Sequence, residues 1–84
     1  MYVYIWKDPS GTPFYVGMGS TLGRTNPKAK CHRNKACLQK LAEIGVDAVV
    51  VEIHAAANDD AAKSMEQMFI AKFKRHRDGG TLTN

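Results

Sequence analysis

The stretch Tyr2-Val3-Tyr4-Ile5-Trp6-Lys7, Asp8-Pro9-Ser10-Gly11, Thr12-Pro13-Phe14-Tyr15-Val16 decides the fold. Its two outer parts are rich in β-branched and aromatic residues, and the tetrapeptide between them is turn-forming. The pattern predicts a β-hairpin with a four-residue loop, Lys7 paired with Thr12 and Tyr4 directly opposite Tyr15. In that register Val3, Ile5, Phe14 and Val16 share one face, while Tyr2, Tyr4, Trp6 and Tyr15 share the other. A slip of one residue would mix the two sets, so the pattern itself favours this pairing.

Outward from the hairpin, Gly17, Gly19 and Gly23 loosen the backbone before Arg24. Cys37, Leu38, Leu41 and Ile44 recur at helical spacing, with Gly45 as terminator, which predicts a helix over about 33–44. Ala48 to His54 reads as a third strand, apolar enough to be mostly buried. Asn58 or Asp59 can cap a second helix that carries Ala62, Met65, Phe69 and Phe73 as its core stripe. It runs to about Arg75 and stops at Asp78-Gly79-Gly80. The expected class is α/β in the α+β sense: one domain over 1–84, a small three-stranded, mainly antiparallel sheet flanked by helices, in the order β-β-α-β-α.

Eighty-four residues with 44% hydrophobic content support one core and argue against wholesale disorder. There is neither an apolar run of about 20 residues nor a signal-peptide pattern, so the expectation is an intracellular protein away from the membrane. Cys31 and Cys37 are too few for a disulfide scaffold. A metal site with His32 and His54 is weighed against idle or buried thiols, and the thiols are the better reading.

Net charge is +4, and its distribution is uneven. From Pro9 to Ala42 there is no acid, while Arg24, Lys28, Lys30, Arg33, Lys35 and Lys40 fall within that stretch. A second basic group, Lys72, Lys74, Arg75 and Arg77, lies near the end. Such segregation attracts polyanions, although a solvated lysine-rich face gives the same count. Glu66 borders the core stripe, where a carboxylate needs either a lysine partner or a divalent cation. Arg24 follows glycines that let backbone approach phosphate, and its guanidinium can fork onto two oxygens. The segment lacks the spacing of a P-loop.

Taken in order, these residues resemble the GIY-YIG nuclease family. Tyr2-Val3-Tyr4 stands where the family carries Gly-Ile-Tyr, and Tyr15-Val16-Gly17 where it carries Tyr-Ile-Gly, with the two tyrosines eleven positions apart. Arg24 follows; Glu66-Gln67-Met68-Phe69-Ile70 resembles the helix presenting the metal-binding glutamate, and Gly79 to Asn84 the closing motif. Tyr2 replaces the usual glycine, and Met18 stands where some members have lysine. The resemblance implies a DNA endonuclease that hydrolyses phosphodiesters with one divalent cation, Mg²⁺ or Mn²⁺.

In that picture Glu66 holds the metal and Tyr4 takes a proton from the attacking water. An unperturbed phenol titrates near about 10, so Tyr4 needs a helper, for which His32 is the candidate. Tyr15 bonds the phosphate or the water, Arg24 stabilises charge on the non-bridging oxygens, and Asn84 orients the phosphate or fixes the edge of the site. Lys28, Lys30, Arg33, Lys35 and Lys40 would track the DNA backbone. A bacterial or phage setting, a dimer or fusion to a DNA-reading domain, and a natural chain continuing past Asn84 all fit this resemblance. The competing readings are a non-catalytic nucleic-acid-binding domain of the same fold and a protein-interaction or inhibitor module using Tyr2, Tyr4 and Trp6.

Overall fold

The computed structural model describes residues 1–27 and 34–84, with Arg24 described in its backbone alone. The predicted roles of Lys28, Lys30, His32 and Arg33, and the thiol of Cys31, lie outside the described residues. Strands β1 (Tyr2–Lys7), β2 (Pro13–Gly19) and β3 (Val50–Ala55) form an antiparallel sheet in the order β2-β1-β3. Helix α1 (Lys35–Ile44) lies between β2 and β3 in sequence, and α2 (Asp59–Phe73) follows β3. The expected class and element order are therefore those of the structure. No described helix is long and apolar enough to cross a membrane.

Two separate apolar clusters, one on each face of the sheet, hold the layers together. Val3, Ile5 and Val16 pack with Ala62 and Phe69 of α2 and with Leu82. Tyr4, Trp6 and Phe14 pack with Cys37 and Leu41 of α1. Trp6, Phe14, Ile5, Leu82, Val3, Val16 and Cys37 are all fully buried. Completely burying a large apolar side chain contributes about 1.5–3 kcal/mol, so the hairpin residues dominate the stability of this small core.

The hairpin departs from the expected register. Trp6 pairs with Tyr15 and Tyr4 with Gly17, while Lys7 pairs with Pro13 rather than Thr12. The loop is longer because Asp8 organises it: its Oδ1 accepts from the Ser10 and Thr12 amides, and its own amide donates to the Thr12 carbonyl. An irregularity between Trp6 and Lys7 sets two steps of β2 against one of β1. Such a bulge breaks alternation. Phe14, expected among the aliphatic residues, consequently packs with Trp6 on the opposite face, ring centroids 6.4 Å apart.

Three boundaries also move. Helix α1 begins at Lys35 because Asn34 caps it, accepting from the Cys37 amide at 2.8 Å. Val46–Ala48 forms a 3₁₀ turn, which delays β3 to Val50. The third strand is an edge strand and not mostly buried: Val50 is 49% and Ile53 44% exposed. Helix α2 is capped by Asn58 as expected, but stops at Phe73 because Lys74 turns to a φ of 63°.

Candidate functional site at the outer edge of strand β2

Tyr4 stands on the central strand and leans across its neighbour. A Cβ placed on Gly17 would collide with Cζ and Oη of Tyr4, and would lie 2.7 Å from its Cε2. The glycine is thus a seat for the phenol, and Tyr4 is only 4% exposed. Tyr15 is half-buried on the same face, 6.2 Å from Tyr4 between ring centroids, with Trp6 5.3 Å from Tyr4 and 5.0 Å from Tyr15. The expected pairing of the two tyrosines on adjacent strands and one face is present. Their contact is diagonal rather than directly cross-strand.

Trp6 also positions the segment containing Arg24. Its Nε1 donates to the Thr25 carbonyl at 2.9 Å in a buried contact. The Thr25 hydroxyl donates to the Leu22 carbonyl at 2.6 Å and closes the 3₁₀ turn Leu22–Thr25. The backbone of Arg24 is therefore tethered on the tyrosine face, next to β1 and β2. The sequence placed Trp6 on the aromatic face and in a candidate interaction surface, with no anchoring role. A buried indole N–H needs an acceptor, and that need was the available signal.

Asn84 clamps the outer edge of β2. Its Oδ1 accepts from the Val16 amide at 3.0 Å, and its Nδ2 donates to the Val16 carbonyl at 2.7 Å. The Thr83 amide donates to the Phe14 carbonyl at 2.7 Å, its hydroxyl donates to the same carbonyl, and its own carbonyl accepts from Asn34 Nδ2. Both hydrogen-bonding atoms of the Asn84 amide are occupied by backbone. Of the two expected roles, fixing the edge of the site matches this geometry.

Glu66 comes from the other side. Helix α2 covers the Val3, Ile5 and Val16 face, so Glu66 and the two tyrosines belong to opposite faces of the sheet. From the sequence, Tyr4, Tyr15, Arg24, Glu66 and Asn84 are expected to open into one cleft; instead Glu66 stands across the sheet from both tyrosines, so no single metal site on one face joins them. On α2, Glu66 lies one turn before Phe69 and Ile70, beside the face whose Phe69 ring meets His54 of β3 at 5.1 Å.

Glu66 is half-buried, and burial alone pushes its carboxyl above the ordinary range. It has no ion-pair partner among the described residues, so the expected alternative of a lysine partner is not found there. A carboxylate desolvated without a counter-charge suits one divalent cation whose shell is completed by water and phosphate oxygens. Among the described residues no cluster of three or more His, Cys, Asp or Glu could hold a metal.

The remaining candidates separate clearly. Lys35 is exposed at the start of α1 and Lys40 is half-buried on the same helix. Cys37 is a buried free thiol on the tyrosine face. His54 is on the α2 face, with Nε2 2.6 Å from Glu52 and its ring against Phe69, so these two cannot share a metal. Glu52 is held below the ordinary carboxylate range by the hydrogen bond from Lys7 first and by His54 second. No protein-family model, curated protein or solved structure matches this chain.

Proposed function

We propose that the protein is a GIY-YIG-type endonuclease that hydrolyses DNA phosphodiesters at the outer edge of β2. The observation that carries this reading is the phenol of Tyr4 seated on Gly17 beside Tyr15, at an edge fixed by Asn84. It ties both tyrosine motifs and the closing asparagine to one place.

Tyr15 is the more accessible phenol, so it meets the phosphate or the attacking water, while Tyr4, as a phenolate that has given its own proton to a helper base, takes the proton of that water. Arg24, carried on the turn that Trp6 anchors, would stabilise charge on the non-bridging oxygens. A divalent cation on Glu66 would polarise the phosphate and stabilise the leaving 3′ oxygen only if the substrate passes round the β2 edge, because Glu66 stands on the α2 face. His32 remains the proposed helper for the phenol, and Lys28, Lys30, Arg33, Lys35 and Lys40 the proposed backbone contacts.

A second reading, a nucleic-acid-binding domain without turnover, is favoured by one observation: the tyrosines and Glu66 rise from opposite faces of the sheet. The two separate on cleavage of plasmid DNA with and without Mg²⁺, for the parent and for Glu66→Gln. The nuclease reading expects Mg²⁺-dependent cutting that the amide abolishes, because a neutral amide is a poor ligand for this cation. Cutting by the Gln variant at near the parental rate removes Glu66 from the mechanism. A parent that binds DNA and never cuts it establishes the second reading.

A further inference from the structure

Between α1 and the segment after α2 runs a groove of about 400 Å³. Its walls carry Lys40 from one side and His76, Arg77 and Thr81 from the other, and it ends at Thr83 and Asn84. The two basic groups, far apart in sequence, meet here: Lys40 belongs to the first and Arg77 to the second. Among the described residues no carboxylate lines the groove. Arg77 has no ion pair among them; the charge of Lys40 also acts on Asp8 of the hairpin loop, and its ion pair among them is with exposed Glu43, at 3.9 Å. A pair so long and so exposed contributes almost nothing. Thr83 and Asn84 spend their groups on the main chain of β2 and on Asn34, so they build the groove's end rather than offer contacts.

We infer that this groove seats a phosphodiester backbone, with Lys40 and Arg77 as its principal charge contacts and His76 and Thr81 as additional donors. Two cations on facing walls, with no acid between them, complement successive phosphates along a strand. A second groove, along the exposed flank of α2, carries Lys74 and Arg75 but also Asp78, and lacks that uniform sign. The first groove also leads to the right place. Its end is the Asn84 clamp on Val16, next to the Gly17 seat of Tyr4. A strand lying in it would be delivered to the β2 edge. The inference rests on the nuclease reading for its choice of DNA as the polyanion, but not for the binding itself.

The test is fluorescence anisotropy with a short labelled duplex DNA in EDTA, across a salt series, so that binding is read without cleavage. The groove variant is Lys40→Ala with Arg77→Ala. The control is Lys63→Glu on α2, which lowers the net charge by the same amount outside both basic groups. The groove variant should bind on the order of tenfold more weakly, with a log affinity–log salt slope flatter by about 2, from roughly 0.9 per phosphate. The control should keep the parental slope. Equal effects in both variants would reduce the groove to net charge, and an unchanged groove variant would remove it; either outcome overturns the inference. The two proposals can fail separately. A parent that never cuts, yet binds DNA through Lys40 and Arg77, sinks the nuclease and leaves the groove; Mg²⁺-dependent cutting with an unchanged groove variant does the reverse.

Discussion

Glycine 17 and glutamate 66 show how single residues are committed by their surroundings. A methyl group at position 17 would have to displace the Tyr4 ring, which is already 4% exposed and has little free space to enter. Gly17→Ala should therefore cost about 1–3 kcal/mol by overpacking, read as a lowered thermal midpoint. A midpoint equal to the parent's would show that the phenol does not rest on that glycine. Glu66 carries the opposite kind of tension, a charge partly removed from water. Its folded carboxyl lies above the ordinary 4.5, so the native state holds its proton more tightly than the unfolded chain does. Stability from this group is fully present below about pH 4.5 and is lost as pH rises through the folded value. Glu66→Gln should consequently raise the thermal midpoint at neutral pH without metal, with the gain fading in acid. A Gln variant less stable than the parent at pH 7 would mean that the carboxylate has a cationic partner in solution.

The elements differ in how much of their geometry depends on neighbours. After α2 the chain folds back through the 3₁₀ turn His76–Asp78, and Leu82 bridges to Arg75. Gly80 passes so close to the main chain of Phe73 and Lys74 that a Cβ would overlap both carbonyl oxygens. Gly79 instead has open space and a φ of 87°. Gly80→Ala should cost about 2–4 kcal/mol, and more than Gly79→Ala, where only the left-handed conformation is strained, by about 1–2 kcal/mol. Denaturant titration of both variants measures the order, and the reverse order would contradict this packing. Strand and helix identities were legible because each is written locally, in β-branched runs, helical spacing and the Asn58 cap. The register was not. It depends on Asp8 gathering the amides of Ser10 and Thr12, and on a bulge that turns Phe14 over. Burial of β3 was misjudged for a related reason: apolar content does not reveal which strand ends at an edge. At the site, the shared face of the two tyrosines could be read from the hairpin pattern, whereas Asn84 entered only through the resemblance. The face from which Glu66 arrives could not, since it follows from how α2 crosses the sheet.

Across the whole molecule, positive charge is concentrated on the hairpin-to-α1 stretch and on the segment after α2, while the sheet separates two small cores. On the nuclease reading this field supplies most of the affinity and little of the sequence preference. If four or five phosphates are contacted, parental binding should follow a log affinity–log salt slope of about −4. Neutralising Lys28, Lys30 and Lys35 together should flatten it for every DNA sequence tried, and an unchanged slope would exclude those lysines from the DNA path. The Asn84 clamp has a further meaning, in time rather than in space. Its two partners are 68 residues apart, whereas the hairpin joins near neighbours. Hairpins close within about 1–10 μs, but contacts across long sequence separations must wait for the loop entropy to be offset by other structure. The tyrosines can therefore stand side by side in a molecule whose β2 edge is still unlocked. On the nuclease reading, only a chain that has finished folding holds a complete cutting edge, and an immature one is harmless to the DNA around it.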